Sequence, residues 1–147
     1  MTRAPRWLKP INKIYMLLLR RGVSFGAEQP LVLTVRGRRS GKSRSTPITP
    51  MAVDAKRYAV AVFPAADWVA NVRAAEEVTL AYGRHTERVR LVELPSQEAR
   101  PVLRLFPVQV PAGVGFLRNS GLVNDGTPDE LEGLVGRLPV FRIDPIT

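Results

Sequence analysis

Extended apolar runs follow one another through the middle of this 147-residue chain, with one short helical stretch among them. Residues 31–36, Leu-Val-Leu-Thr-Val-Arg, form a strand rich in branched apolar side chains. Residues 45–53 are extended but carry Pro47 and Pro50, which confine that strand to a sheet edge or a bulge. Residues 57–63 are another strand, 78–82 and 86–94 pair as a hairpin across Gly83-Arg84, and 138–143 close the chain. Strands in direct succession pair antiparallel, whereas a doubly wound parallel sheet needs strand–helix alternation that is missing here. The order predicts an α+β, mainly β domain: a small antiparallel barrel or closed sheet with peripheral helices.

The helical signals are fewer. Asp67 reads as the cap of a short helix through Arg73, after a loop at Pro64-Ala65-Ala66. Residues 96–106 read as a helix in spite of Pro101, and 107–126, rich in Gly and Pro, as a long loop. Thr127-Pro128-Asp129-Glu130 carries a capping box with proline at the first helical position, and its helix ends near Gly136. Residues 5–21 place Trp7, Ile11, Ile14, Tyr15 and Leu18 at helical spacing, with Lys9, Lys13, Arg20 and Arg21 around them. Such a basic amphipathic helix can pack on the domain, lie on an anionic membrane, or do both. The whole, residues 1–147, is one domain.

Charge narrows the partner. Residues 1–50 hold 11 Lys and Arg against Glu28 alone, while the rest holds 11 against 12 acids. An excess confined to the first third predicts an anionic partner. The chain has no cysteine and one histidine, His85, which excludes thiolate metal sites and makes a Ser-His-Asp triad and any His-rich metal site improbable. No run of eighteen apolar residues and no secretory pattern occurs, so a cytoplasmic protein is expected, at most touching the inner face of the cell membrane. Nucleic acid is not expected as a partner, because no aromatics are interleaved with the basic stretch for base stacking.

The charge concentrates at Arg36-Gly37-Arg38-Arg39-Ser40-Gly41-Lys42-Ser43-Arg44, which has five cations and no acid. Two glycines and a Lys-Ser pair make it a tight turn. It is not a P-loop: three residues instead of four separate Gly37 from Gly41-Lys42-Ser43, and Thr46-Pro47-Ile48-Thr49-Pro50 cannot begin the helix that motif requires. Five like charges so close together repel one another unless an anion joins them.

Gly37-Arg38-x-Ser40-Gly41-x-x-Arg44-x-Thr46-Pro47 after an apolar strand resembles the signature of the deazaflavin-dependent nitroreductase family. The resemblance continues through Tyr58–Phe63, Asp67-Trp68 and Asn71, and returns in Arg137–Arg142. It implies a split β-barrel related to flavin-binding barrels, and the 8-hydroxy-5-deazaflavin coenzyme F-420, whose tail carries a phosphodiester and several glutamates. It implies that the reduced coenzyme delivers hydride to an electron-poor acceptor such as a quinone or nitro compound. Arg38, Arg39 and Arg44, with Lys42, would then hold the tail, Ser40 and Thr46 would donate hydroxyls, and Gly37 and Gly41 would open the backbone to the anion. Pro47, Val62, Phe63, Pro64, Asp67, Trp68 and Asn71 would line the ring or its linker. Thr49 is a candidate proton donor, or a group polarising the ring carbonyl.

Two departures stand out. The family's Lys and glycine pair after the third strand are replaced by Pro64-Ala65-Ala66, and its substrate-side tyrosines are absent after Tyr82. Trp68, Phe106, Val110, Phe116 and Leu117 would line the substrate side instead, which implies a small apolar acceptor. An FMN-binding barrel reductase and a non-catalytic carrier of deazaflavin or another apolar ligand remain as alternatives, in a monomer or homodimer.

Overall fold

The computed structural model describes residues 31–146. The helix expected over residues 5–21 lies outside them. Seven strands form one sheet: β1 (Leu31–Arg36), β2 (Ser43–Ile48), β3 (Met51–Val53), β4 (Lys56–Val60), β5 (Val78–Tyr82), β6 (His85–Glu93) and β7 (Val140–Pro145). Their spatial order is β2-β1-β5-β6-β7-β4-β3, and every neighbouring pair is antiparallel.

The two edge strands, β2 and β3, are consecutive in sequence and joined by Thr49-Pro50 alone. Three Cα steps of about 3.8 Å must therefore connect the two edges, so the sheet curls until they nearly meet. This is the split barrel the sequence led us to expect. Pro47 lies on the edge strand β2, opposite Val32, where its missing N–H leaves the interior of the sheet intact. The β5–β6 hairpin turns at Gly83-Arg84, with Gly83 at a left-handed φ of 58°.

Directly opposed residues on neighbouring strands share a face. Leu33 stands opposite both Leu80 and Thr46, Val78 opposite Val89, and Phe141 opposite Ala59. This concave face forms one apolar cluster with Val69 and Val72 of helix α1 (Asp67–Ala74). The other face of β3, β4 and β7 packs on helices α2 (Ser96–Gln109), α3 (Pro111–Asn119) and α4 (Pro128–Glu132) through Met51, Val140, Leu103, Phe106, Leu117 and Leu131. Strand β7 joins the two cores, giving Val140 to one and Phe141 and Ile143 to the other.

Several boundaries differ from the sequence reading. The stretch 107–126 is not one long loop: α2 runs on to Gln109, and α3 follows with Pro111 at its start. Its Gly113 reflects close packing on Phe106 and not a turn. Ala66, with no side-chain bond, occupies the cap position of α1, and Asp67 is already helical. Strand β4 ends at Val60, after which the Ala61 N–H donates to Pro139 O at 2.9 Å. The last strand starts at Val140, because Leu138 is drawn into the helical core. The expected capping box is present: Glu130 N–H donates to Thr127 Oγ1, and Thr127 N–H to the Glu130 carboxylate.

Candidate functional site

The basic run becomes the loop between β1 and β2, closed at its neck by Gly37 N–H donating to Lys42 O at 2.8 Å. Gly41 N–H donates to Gly37 O, and Lys42 N–H to Ser40 Oγ at 3.2 Å. A Cβ on buried Gly37 would lie 3.0 Å from Ser40 Oγ and 3.2 Å from Lys42 O, so only glycine fits that neck comfortably. Gly41 turns the chain at φ 72°, a conformation other residues rarely adopt.

The loop is anchored to α1. Arg38 donates from its backbone N–H (3.1 Å) and from Nη1 (2.7 Å) to the single oxygen Oδ1 of Asn71. Arg38 Nη1 also reaches Asp67 O at 3.5 Å, and Nη2 lies 3.8 Å from Asp67 Oδ1. Asn71 is 3% exposed, the one buried polar side chain among the described residues. The side chains of the run's other cations, Arg36, Arg39, Lys42 and Arg44, are exposed and have no hydrogen-bond or ion-pair partner among those residues. Arg44 stands opposite Val35 on the concave side, whereas Arg36, opposite Ser43, faces the other way. The alternation of Arg36 with Val35 along β1 is the sequence signal that separates it from Arg44.

Thr46 is half-buried opposite Leu33, and Thr49 is half-buried in the link between the sheet edges. Phe63 meets Phe116 in a T-shaped contact, ring centroids 5.5 Å apart, and ties the 61–66 segment to α3. Trp68 is half-buried and packs 5.9 Å from the Phe141 ring. Val62 leans on the helical core, and Pro64 is half-buried in the turn before α1. Among the residues expected on the substrate side, Phe116 and Trp68 are therefore near the loop segment that leads into α1. Phe106, Val110 and Leu117 are not: they are 2%, 5% and 0% exposed, inside the helical core. Apolar character alone does not separate a pocket wall from a core.

Among the described residues no cluster of His, Cys, Asp or Glu could hold a metal ion, and no helix is long and apolar enough to cross a membrane.

The family model described as F420H(2)-dependent quinone reductase matches residues 15–116. Among solved structures, an F420-H2 dependent reductase is similar over 78% of this chain and 93% of its own, at 20% identity and a TM-score of 0.54. A protein described as a domain-swapped dimer is similar over 94% of this chain and 97% of its own, at 21% identity and a TM-score of 0.55. A conserved hypothetical protein from Mycobacterium tuberculosis covers 92% of this chain and 81% of its own, at 14% identity and a TM-score of 0.51. At these identities the three share the fold. No curated protein matches the chain.

Proposed function

The chain belongs to the F420H(2)-dependent quinone reductase family, and is thus a deazaflavin-dependent oxidoreductase; we propose that its β1–β2 loop holds the anionic tail of the reduced deazaflavin at the mouth of the barrel. The observation that carries this reading is the contrast within the basic run: Arg38 is fastened to α1, while the side chains of Arg39, Lys42 and Arg44 are exposed with no partner among the described residues. Unpaired cations held on a closed neck suit a ligand bearing several separated anionic groups.

The residues fit such a group in three ways. The Gly37 neck is too tight for a side chain, so the loop closes on itself and holds its cations together. Arg38, already held in place, and the side chains of Arg39, Lys42 and Arg44 would grip phosphate and carboxylates. Pro47, Thr46 and Thr49 along β2 and its link, with Val62, Phe63, Pro64, Asp67 and Trp68, would flank the ring or its linker. When bound, the reduced deazaflavin supplies a hydride to the acceptor; the protein's share is to bind, orient and exclude water. Thr49, whose hydroxyl has no partner among the described residues, is the candidate hydrogen-bond or proton donor.

The acceptor we propose is a small apolar quinone. Support comes from the Phe63–Phe116 pair beside the segment leading into α1. The basic amphipathic pattern of residues 5–21 suits delivery of such a quinone from an anionic membrane, which co-sedimentation with anionic and neutral vesicles tests. The function itself is tested by mixing the protein anaerobically with reduced F420 and quinones of one ring but different tails. The oxidised chromophore is expected to return, and faster with an alkyl tail. Equal rates with tail-less quinones would refute the apolar acceptor, and no return with any quinone would refute the reductase reading.

A further inference from the structure

Asn71 lies in the middle of α1, between Val69 and Val72, whose side chains belong to the barrel core. An amide in that position is costly to bury unless its polar atoms are matched. Both Arg38 groups that face it are donors, so the carbonyl oxygen and not the NH2 group must be turned toward them. One buried oxygen thereby fixes two things: the backbone at the start of the basic loop, and the guanidinium of its first cation. A free arginine side chain would lose considerable rotamer freedom on gripping an anion. Arg38 has already lost it, being held against the first turn of α1 with its side chain 29% exposed.

We propose that Asn71 is the positioning residue of this site, acting on an anionic ligand through Arg38 and not by contact of its own. The proposal rests on the loop's holding the coenzyme tail. It differs from the expectation that Asn71 itself lines the ring or linker: Oδ1 is engaged by Arg38, Nδ2 has no partner among the described residues, and the cycle below separates a contact made by Nδ2 from action through Arg38.

The test is a double-mutant cycle on the affinity for oxidised F420, read by fluorescence titration of the full chain. Asn71→Ala is expected to weaken binding about tenfold in the wild-type background and less than about twofold in the Arg38→Ala background. Equal losses in both backgrounds would mean direct contact or general loosening, and would overturn the proposal, as would no loss at all. If Asn71→Ala does not fold, Asn71→Ser takes its place, with the same expectation: its hydroxyl is too short to meet both donors. A second readout needs no ligand. Amide exchange at Arg38, followed by NMR, is expected to speed up about tenfold or more in the variant while exchange in β5 and β6 stays unchanged. Unchanged exchange at Arg38 overturns the clamp. A wild-type protein that fails to bind F420 contradicts the reading of the site and the ligand half of this proposal, while the exchange result still decides whether Asn71 holds Arg38.

Discussion

Gly113 of α3 lies so close to the Phe106 ring of α2 that a Cβ would come within 2.9 Å of Cε2 and nearer still to Cζ. Phe106 is 2% exposed, so its ring has nowhere to move. In an open helix, glycine to alanine stabilises by about 0.5–1 kcal/mol. Overpacking of a filled core costs about 1–3 kcal/mol. The second effect wins here, and Gly113→Ala is expected to lower stability by about 1–2 kcal/mol in urea unfolding. Gly115, in the same helix, has nothing within 4 Å of its Cβ position, and Gly115→Ala is expected to raise stability by about 0.5–1 kcal/mol. If both substitutions shift the midpoint in one direction, the packing argument fails.

Gln109, the last residue of α2, matches both backbone groups of Ala52 on edge strand β3. Ala52 N–H donates to Oε1 at 2.9 Å, and Nε2 donates to Ala52 O at 2.8 Å. The side chain stands where a further strand would pair, and so covers that edge. Gln109→Ala is expected to cost about 1–2 kcal/mol. Gln109→Glu should cost more at pH 7, because a carboxylate repels Ala52 O, and should recover on acidification, when the protonated acid can donate. Thermal melts of both variants at neutral and acid pH check this.

Glu130 accepts backbone N–H groups from Asn124 (2.7 Å), Asp125 (3.0 Å), Gly126 (2.9 Å) and Thr127 (3.3 Å). These bonds, led by that from Asn124, hold its carboxyl below the ordinary value near 4.5. A folded-state value below the unfolded one gives stability that is present above pH 4.5 and lost as pH falls through the lowered folded value. Glu130→Gln should therefore melt lower than wild type at neutral pH, with the gap closing in acid. A gap independent of pH would contradict this.

Asp67 sits in the first turn of α1, 3.8 Å from Arg38, with its side chain 87% exposed. Asp67→Asn removes a competing anion, and should tighten F420 binding about twofold, the scale of an exposed pair. It also removes a charge that favours the helix N-terminus, and should cost about 0.3–1 kcal/mol of stability. Opposite signs for binding and melting are the signature to look for; a loss of both would mean that the Asp67 carboxylate itself holds the coenzyme and does not merely flank it.

Much of this was legible in the residues. Branched runs marked the strands, Pro47 marked an edge, Gly83 a hairpin, and Thr127 with Glu130 a helix start. The basic loop was visible as a local excess of charge. What sequence could not supply was partner identity. Gly113 looks like a loop residue until Phe106 is placed against it, and Phe106, Val110 and Leu117 look like a pocket wall until the helices close over them. The family resemblance that singles out Trp68 and Asn71 says nothing of where the Asn71 oxygen turns, because that depends on a contact 33 residues away.

The measurement that tests the central claim most directly is fluorescence titration of the protein with oxidised F420, with FMN alongside, in wild type, Arg39→Ala and Arg44→Ala at low and high salt. Saturable F420 binding is predicted, weaker by about tenfold in each variant, weaker again in high salt, and tighter than FMN. Binding of FMN alone, of neither, or of F420 with no response to loop charge or salt would contradict the account.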